Sequence, residues 1–303
     1  MEGFTLSKII ECVPNFSEGR NKEVVEKILK EIRNVSNIKL LDYSMDKDHN
    51  RTVATFIGGP DEVIEAAFKA TKKASELIDM TKHIGAHPRM GATDVIPLIP
   101  ISEVSMEECI RLSKILGAKI GNELGISVYL YEKSATSAER ENLANVRKGQ
   151  YEGMKEKLKQ EGWAPDFGPI NLNVKSGVTA VGARMPLVAY NINLATNNLD
   201  IAKKIAKAIR AKNGGFTYCK AIGVEIKERD IVQVSINMVD YTKTPLFRVF
   251  DMVEREARRY GVNVIGSEII GLVPMEALID VADYYLRLED FNKNQVLEKR
   301  MAE

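Results

Sequence analysis

The strongest constraint on the fold is an order of strand and helix patterns that occurs twice along the chain. In the first half, apolar strand patterns occupy residues 8–13, 38–43, 51–57 and 95–101, and helix patterns begin near residue 21 and at Pro60. The first helix carries apolar residues at a spacing of 3.6, and Pro60 suits the first turn of the second. This order, β-α-β-β-α-β, is typical of a ferredoxin-like unit.

The second half repeats the order without a repeat of residues. Strand patterns occupy residues 187–194, 220–226, 231–238 and 262–270, and helix patterns occupy residues 199–209, 246–260 and 275–288. We therefore predict an α+β fold of two ferredoxin-like subdomains, with a substrate cleft between their sheets. The predicted boundaries are 1–177, which includes a helical elaboration, and 178–303.

Residues 102–163 contain that elaboration. A helix pattern runs from 107 to 116 with Gly117 as its expected stop, a strand pattern covers 128–131, and charged helix patterns follow over 138–158. The prolines in residues 163–169 favour an extended course there.

Polar side chains alternate with apolar ones on two strands of the second half. They are Asn191, Asn193, Gln233, Ser235 and Asn237. One face of these strands is then apolar and packs against helices, and the other is rich in amides. The polar face is either a solvated surface or the floor of a ligand site, and the amides slightly favour the ligand site.

Composition excludes several classes of protein. With 43 Lys and Arg against 42 Asp and Glu, the net charge of +1 argues against a nucleic-acid binder. No apolar run reaches the ~18 residues that span a bilayer, and no signal-peptide pattern is present. Cys12, Cys109 and Cys219 lack metal or disulfide spacing, which indicates reduced thiols. We expect a soluble cytoplasmic protein without nucleic-acid or membrane partners.

The three histidines, His49, His83 and His87, all lie between residues 49 and 87. Two histidines four residues apart suggest a metal pair, but Gly85 and Pro88 disfavour the helix that would align them. The alternatives are a loop histidine with a structural role and a catalytic histidine held in place by Pro88. An imidazole that titrates near neutrality suits proton transfer.

Two further segments are rich in polar residues. Asp42, Asp46 and Asp48 precede Arg51 and form either a solvated acidic turn or a site for a positive substrate group. The segment 168–177, bounded by glycines, is either a linker or a binding loop. It does not have the spacing or the strand–helix context of a dinucleotide-binding loop.

Several motifs resemble those of the glutamate formiminotransferase family over residues 8–285. They are Glu11-Cys-Val-Pro-Asn-Phe-Ser-Glu-Gly19, Asn50-Arg-Thr-Val53, His87-Pro-Arg-Met-Gly-Ala92, Trp163-Ala-Pro-Asp-Phe-Gly-Pro169, Gly182-Ala-Arg184, Asn191-Ile-Asn-Leu194 and Gly271-Leu-Val-Pro274. The resemblance implies two ferredoxin-like subdomains with a substrate channel between them. It also implies transfer of a formimino group from N-formimino-L-glutamate to N5 of tetrahydrofolate, the co-substrate, with no metal.

The resemblance also assigns residues and partners. It makes His87 the catalytic residue. The family's folate-contacting stretch maps onto Gly168, Pro169, Ile170, Asn171, Leu172, Asn173, Val174, Lys175, Ser176 and Gly177. It implies a homodimer. The cyclodeaminase that is often fused behind this enzyme does not appear in the sequence, so a separate cyclodeaminase is a further expected partner.

The chemistry of such a transfer suggests roles for the charged candidates. A single base can take the proton from folate N5 and return it to the departing glutamate nitrogen. A carboxylate from Asp42, Asp46 or Asp48 would stabilise the positive adduct. Arg51, Arg89 and Arg184 could bind substrate carboxylates bidentately, with Lys175 as a further charge.

Three alternatives remain open at this point. The same scaffold could use a formyl donor or process 5-formyltetrahydrofolate. The three histidines could instead serve a metal-dependent hydrolase, or the chain could bind folate without catalysis.

Overall fold

The computed structural model describes residues 8–301, and the chain divides between Arg184 and Met185 into two compact units. Each unit contains helices and one β-sheet, so the mixed α+β class predicted from the sequence is confirmed.

Over residues 8–184, the first unit contains seven strands and six helices. The strands are β1 (Ile9–Cys12), β2 (Asn15–Phe16), β3 (Lys39–Asp46), β4 (Arg51–Gly58), β5 (Thr93–Ser102), β6 (Ser127–Glu132) and β7 (Val178–Ala183). The helices are α1 (Lys22–Arg33), α2 (Pro60–Leu77), α3 (Met106–Leu124), α4 (Ala138–Glu141), α5 (Leu143–Val146) and α6 (Gln150–Lys157).

The sheet of the first unit combines antiparallel and parallel pairs. β3 pairs with β4, and β4 pairs with both β1 and β2, which in turn pair with β5, all antiparallel. β5, β7 and β6 then follow in parallel. The four strands predicted in this half thus form one part of a larger sheet.

Strand β7 was not predicted, and it moves the division between the units. Its sequence, Val-Thr-Ala-Val-Gly-Ala, is buried throughout and lacks the alternation that marks a half-exposed strand. Because β7 lies between β5 and β6, the chain leaves the first unit after Arg184 and not after Gly177, the predicted boundary.

Local signals account for the helix ends, with one exception. The Asn21 side chain accepts hydrogen bonds from the first turn of α1, and Pro60 opens α2. The predicted stop at Gly117 is wrong, because α3 continues to Leu124. A Cβ at Gly117 would lie 2.9 Å from the Phe167 ring, so this glycine permits close packing against that ring.

Helices α1, α2 and α3 cover one face of the first sheet. Their apolar residues, such as Leu29, Ala67 and Leu116, pack against Ile10 and Phe56 from the strands. Each fully buried leucine, isoleucine or phenylalanine contributes about 1.5–3 kcal/mol to this core. The opposite face carries a smaller core around Tyr129, so part of that face stays available to polar side chains.

The second unit contains four strands and four helices among the described residues. They are β8 (Val188–Leu194), α7 (Leu199–Ile209), β9 (Cys219–Ile226), β10 (Ile231–Met238), α8 (Leu246–Arg259), β11 (Val264–Ile270), α9 (Met275–Leu286) and α10 (Leu297–Met301). The antiparallel sheet has the order β11-β8-β10-β9. The predicted β-α-β-β-α-β order of elements is observed here.

The apolar and polar faces of β8 and β10 also follow the predicted alternation. Val188, Ile192, Val234 and Met238 are buried in the core of the second unit. Within residues 8–301, no helix combines the length and hydrophobicity needed to cross a bilayer.

Candidate active site

The segment 83–87, between α2 and β5, forms a loop that packs on the turn between β3 and β4. The Ala86 backbone N–H donates to the carbonyl oxygen of Asp48 over 3.1 Å. A Cβ at Gly85 would overlap the carbonyl oxygen of His49, so a glycine permits this approach. The segment is not helical, as predicted, and its two histidines do not share a helix face.

His87 is in direct contact with a guanidinium group. Arg51 Nη1 donates to His87 Nε2 over 2.7 Å, which makes His87 a neutral ring with its proton on Nδ1. Burial lowers the pKa of His87, and the charges of Arg51 and Arg147 lower it further, to about 3. In this arrangement His87 is a very weak base.

Asp46 and His49 form a second pair beside His87. His49 Nδ1 lies 2.6 Å from Asp46 Oδ2, and the His49 and His87 ring centroids are 6.3 Å apart. Burial raises the pKa of Asp46, but hydrogen bonds from His49 and from the Asp48 backbone hold it below its ordinary value. Asp46 is therefore a carboxylate, and it pairs in register with Arg51 across β3 and β4.

The other two candidate carboxylates are more exposed. Asp42 pairs with Thr55 farther along β3, on the strand face that also carries Asp46. Asp48 lies in the turn, with its side chain in solvent. Of the three, Asp46 is the one that contacts a histidine of the site.

Arg89 is fully engaged within the protein. Its Nε donates to His83 Nδ1, its Nη1 to Gln150 and Glu152, and its Nη2 to Glu152 and the His83 carbonyl. His83 Nε2 in turn donates to the Asn50 carbonyl, and burial lowers the pKa of His83. All five N–H groups of Arg89 are used, which leaves none for a substrate carboxylate.

Arg147 is a site residue that the sequence did not reveal. Its Nη2 forms an ion pair with Asp94 Oδ2, and Asp94 Oδ1 accepts the Met90 backbone N–H over 2.8 Å. Arg147 lies within a charged helical stretch 60 residues after His87, and nothing in its local pattern distinguishes it. Its charge nevertheless lowers the pKa of His87.

The stretch 168–177 runs alongside the His87 loop. The Met80 N–H donates to the Lys175 carbonyl over 2.9 Å, and the Ala92 N–H donates to the Ser176 carbonyl over 2.8 Å. The two motifs that the sequence singled out, one for catalysis and one for folate, are thus joined by backbone hydrogen bonds in the first unit.

Two apolar side chains within the stretch 168–177 are exposed to solvent. Ile170 and Val174 are 54% and 60% exposed. Lys175 Nζ donates to the carbonyl of Glu76 near the end of α2, over 2.5 Å. Lys175 is therefore held by the protein in this arrangement.

The motif from Trp163 to Pro169 is anchored by a buried ion pair. Arg140 Nη1 lies 2.9 Å from Asp166 Oδ2, and Asp166 also accepts the Leu130 N–H. Arg140 donates to the carbonyls of Gly162 and Ala164 as well. These contacts fix the chain where it enters the stretch 168–177.

Arg184 belongs to a different cluster on the first sheet. Burial raises the pKa of Glu11, and the charge of Arg184 opposes that effect. Burial also raises the pKa of Tyr131 to about 12, and a hydrogen bond with Arg184 again acts in the opposite direction. Arg184 thus interacts with Glu11 and Tyr131.

The histidines are not arranged as a metal site. His83 uses both ring nitrogens for Asn50 and Arg89, and His87 Nε2 faces Arg51. Over the described residues, no group of three His, Cys, Asp or Glu is placed to hold a metal ion. The geometry gives no support to the hydrolase alternative.

An amide network occupies the polar face of the second sheet. Gln233 Nε2 donates to Asn193 Oδ1 over 2.9 Å and to Glu268 Oε1 over 2.8 Å. Asn191 Nδ2 donates to the same Glu268 oxygen. Glu268, on β11, is the member of this network that the sequence analysis missed.

Both units match a single family. The formiminotransferase domain, N-terminal subdomain, matches residues 9–184, and the formiminotransferase domain matches residues 189–301. The chain therefore belongs to the formiminotransferase family, and the resemblance noted in the sequence is confirmed.

Curated relatives extend over nearly the whole chain. A glutamate formimidoyltransferase of Streptococcus pyogenes serotype M1 is 57% identical over 297 residues, which cover 98% of this chain and 99% of the relative. One from Thermoplasma acidophilum is 49% identical and covers 97% of each chain. A formimidoyltransferase-cyclodeaminase of Sus scrofa is 43% identical over 94% of this chain but 54% of its own length.

Proposed function

We propose that this protein is a glutamate formimidoyltransferase. It transfers the formimino group of N-formimino-L-glutamate to N5 of tetrahydrofolate, and it releases 5-formiminotetrahydrofolate and L-glutamate. The observation that supports this proposal most strongly is the similarity to two glutamate formimidoyltransferases. They are 57% and 49% identical to this chain over nearly its full length. The activity belongs to one-carbon metabolism and histidine degradation.

His87 is the proposed general acid and base. It takes the proton that folate N5 loses on attacking the formimino carbon, and it returns a proton to the departing glutamate nitrogen. Its place on a loop fixed by backbone contacts supports this role. Asp46 is the favoured carboxylate for the positive adduct, because it is ionised and pairs with His49, whose ring adjoins His87.

Tetrahydrofolate is proposed to lie along residues 168–177. Support comes from the hydrogen bonds that join this stretch to the His87 loop, which bring a folate there close to the base. The exposed side chains of Ile170 and Val174 offer apolar contacts for an aromatic ring.

Arg51 is the proposed ligand for a substrate carboxylate. It has no carboxylate partner in an ion pair among the described residues, whereas Arg89 is saturated. Arg184 is less favoured as a ligand for a substrate carboxylate near His87, because it interacts with Glu11 and Tyr131.

We propose that each unit contains a ferredoxin-like subdomain. The strand order β11-β8-β10-β9 in the second unit and the antiparallel order β3-β4-β1-β5 in the first support this assignment. The substrate cleft between the sheets, the homodimer, the cytoplasmic location and a separate cyclodeaminase partner stay predictions.

The function is tested by incubating the protein with tetrahydrofolate and N-formimino-L-glutamate while the new folate species is followed by absorbance. We expect turnover with this donor and much slower turnover with N-formylglutamate. A faster reaction with the formyl donor would instead establish the formyl transfer. Absence of turnover with either donor would overturn the proposal.

The role of His87 is tested in the same assay. His87→Ala should lower kcat by about 10²–10⁴-fold, the usual contribution of a general acid and base, while the affinity for tetrahydrofolate changes little. Ile84→Ala, a change at a 76% exposed side chain of the same loop, is the matched control and should behave like the wild type. Full activity of His87→Ala would remove His87 from the mechanism.

A further inference from the structure

The contact between Arg51 and His87 leaves the proposed base in an unproductive arrangement. The lone pair of His87 Nε2, which would accept a proton, is occupied by Arg51 Nη1 at 2.7 Å. A ring whose pKa is about 3 removes a proton poorly near neutral pH. The reaction therefore requires something that moves Arg51 or neutralises its charge.

The arginine itself lacks a carboxylate. Arg51 Nε is buried and has no hydrogen-bond partner within residues 8–301. Asp46, its neighbour across the strands, uses one oxygen for the His49 ring and the other for the backbone N–H groups of Asp48 and His49. Arg51 thus lacks a carboxylate partner among residues 8–301, and a carboxylate is an anion that a guanidinium binds bidentately.

Arg147 places a second guanidinium near the first. Its charge lowers the pKa of both His87 and Arg51. Asp94 engages its Nη2, but its Nε is also buried without a partner among the described residues. Two guanidinium groups therefore act on one histidine, and each has a buried N–H group without a partner among the described residues, an arrangement that a bound anion would stabilise.

We propose that a carboxylate of the glutamate-bearing donor binds Arg51, with Arg147 as the second cation, and thereby releases Nε2 of His87. The donor then activates its own base: binding draws the guanidinium away from the imidazole and supplies a negative charge beside it. This inference rests on the proposed function for the identity of the anion, and it also predicts that His87 stays inactive until the donor is bound.

The release can be measured directly, because the chain has three histidines. NMR of protein labelled at histidine, with His49→Gln and His83→Gln used for assignment, follows the His87 ring against pH. The charged groups that act on this ring are Arg51, Arg147, His49 and Asp46. We expect His87 to stay neutral well below pH 6 in the free protein. Saturating L-glutamate should raise its pKa by at least about one pH unit, whereas chloride at the same ionic strength should not.

Substitution of Arg51 separates this proposal from a general charge effect. Arg51→Met should raise the pKa of His87 in the free protein, abolish the response to L-glutamate and raise KM for the donor at least tenfold. Arg147→Met, which removes a charge that makes no hydrogen bond to the ring, should cause a smaller rise and a weaker response. Arg111, on α3, carries an exposed guanidinium, so Arg111→Met is the matched control. It should change neither the pKa of His87 nor the KM for the donor.

Several outcomes would overturn the proposal. One is a His87 pKa near 6.5 in the absence of L-glutamate. A second is a wild-type His87 pKa that L-glutamate does not change. A third is a change in the His87 pKa on adding L-glutamate that is as large in Arg51→Met and Arg147→Met as in the wild type. A response to 5-formyltetrahydrofolate but not to L-glutamate would assign the anion site to the folate and reject the donor. If the wild type responds to L-glutamate but has no turnover, the proposed function fails and the release mechanism stands.

Discussion

Gly177 and Met90 are in backbone contact so close that a side chain on Gly177 would overlap the Met90 carbonyl oxygen. The same carbonyl accepts the Val178 N–H over 3.0 Å. Gly177 has a φ of +71°, a conformation that L side chains rarely adopt. This contact joins the end of the proposed folate stretch to the loop that carries His87.

Gly177→Ala should therefore be strongly destabilising. The added Cβ meets backbone atoms that cannot move independently, and the positive φ adds strain. We expect a loss of at least about 2 kcal/mol in the free energy of unfolding, measured by urea denaturation. The affinity for 5-formyltetrahydrofolate should also fall, because the stretch and the loop move apart.

Substitutions at two other glycines distinguish the effect of a positive φ from the effect of an overlap between the added Cβ and the backbone. Gly214 has a φ of +88° with open space around it, so Gly214→Ala should cost only about 1–2 kcal/mol. Gly153 lies in α6 with nothing near its Cβ position, and Gly153→Ala should stabilise the protein by about 0.5–1 kcal/mol. Equal effects at Gly177 and Gly214 would show that the contact with Met90 contributes little.

The buried pair of Arg140 and Asp166 provides a second prediction. Asp166→Ala leaves a buried guanidinium without its carboxylate, and we expect a loss of about 3–5 kcal/mol in the free energy of unfolding. Removing both charges in Arg140→Met with Asp166→Leu should restore at least half of that loss. Glu65→Ala, which breaks an exposed pair with Lys69, should leave stability nearly unchanged. A double variant as unstable as Asp166→Ala would contradict this account.

Arg89 and Arg51 should respond in opposite ways to the same conservative change. Arg89→Lys removes the planar fork that holds His83 and Glu152, so it should destabilise the protein by about 2–4 kcal/mol while L-glutamate affinity falls less than threefold. Arg51→Lys should lower L-glutamate affinity at least tenfold with a smaller loss of stability. Thermal unfolding and calorimetric titration of both variants measure the two effects. A reversed order would make Arg89 the substrate ligand.

Much of the fold follows from local pattern. Helix α7 and strand β10 occur over the predicted residues, because their alternation and caps are unambiguous. Strand β7 escaped prediction because a strand buried on both faces has no alternation. The sequence predicts a helix stop at Gly117, since the contact with the ring of Phe167, 50 residues later, cannot be inferred from the helix itself.

The site was predictable to a smaller extent. The motif around His87 and the stretch 168–177 were evident from the sequence, but their mutual contact depends on tertiary hydrogen bonds. Arg89 and Arg51 are both arginines near a histidine in sequence, and only the number of acceptors around each distinguishes them. Arg147 is brought to the site by folding alone.

Lys157 holds the segment that carries Arg147. Lys157 is only 7% exposed. Its Nζ donates to the carbonyls of Asn145 and Val146 over 2.6 and 2.7 Å. It also lies 3.7 Å from the centre of the Trp163 ring. Lys157→Met removes these hydrogen bonds and should lower the free energy of unfolding at pH 7 by about 1–3 kcal/mol.

The effect of Lys157 should also depend on pH, with a definite sign. Burial, followed by the charges of Lys148 and Arg140, lowers the pKa of Lys157 from 10.5 to about 8. Between pH 8 and 10.5 the unfolded chain therefore binds more protons than the folded protein, so the stability from this group rises with pH, by up to about 1.4 kcal/mol per pH unit. Urea denaturation at pH 7 and pH 9.5 should show the wild type gaining stability relative to Lys157→Met. Lys155 is an exposed lysine of the same helix, and the stability of Lys155→Met relative to the wild type should not change with pH. If the difference in the free energy of unfolding between the wild type and Lys157→Met became smaller at higher pH, that result would contradict the lowered pKa of Lys157.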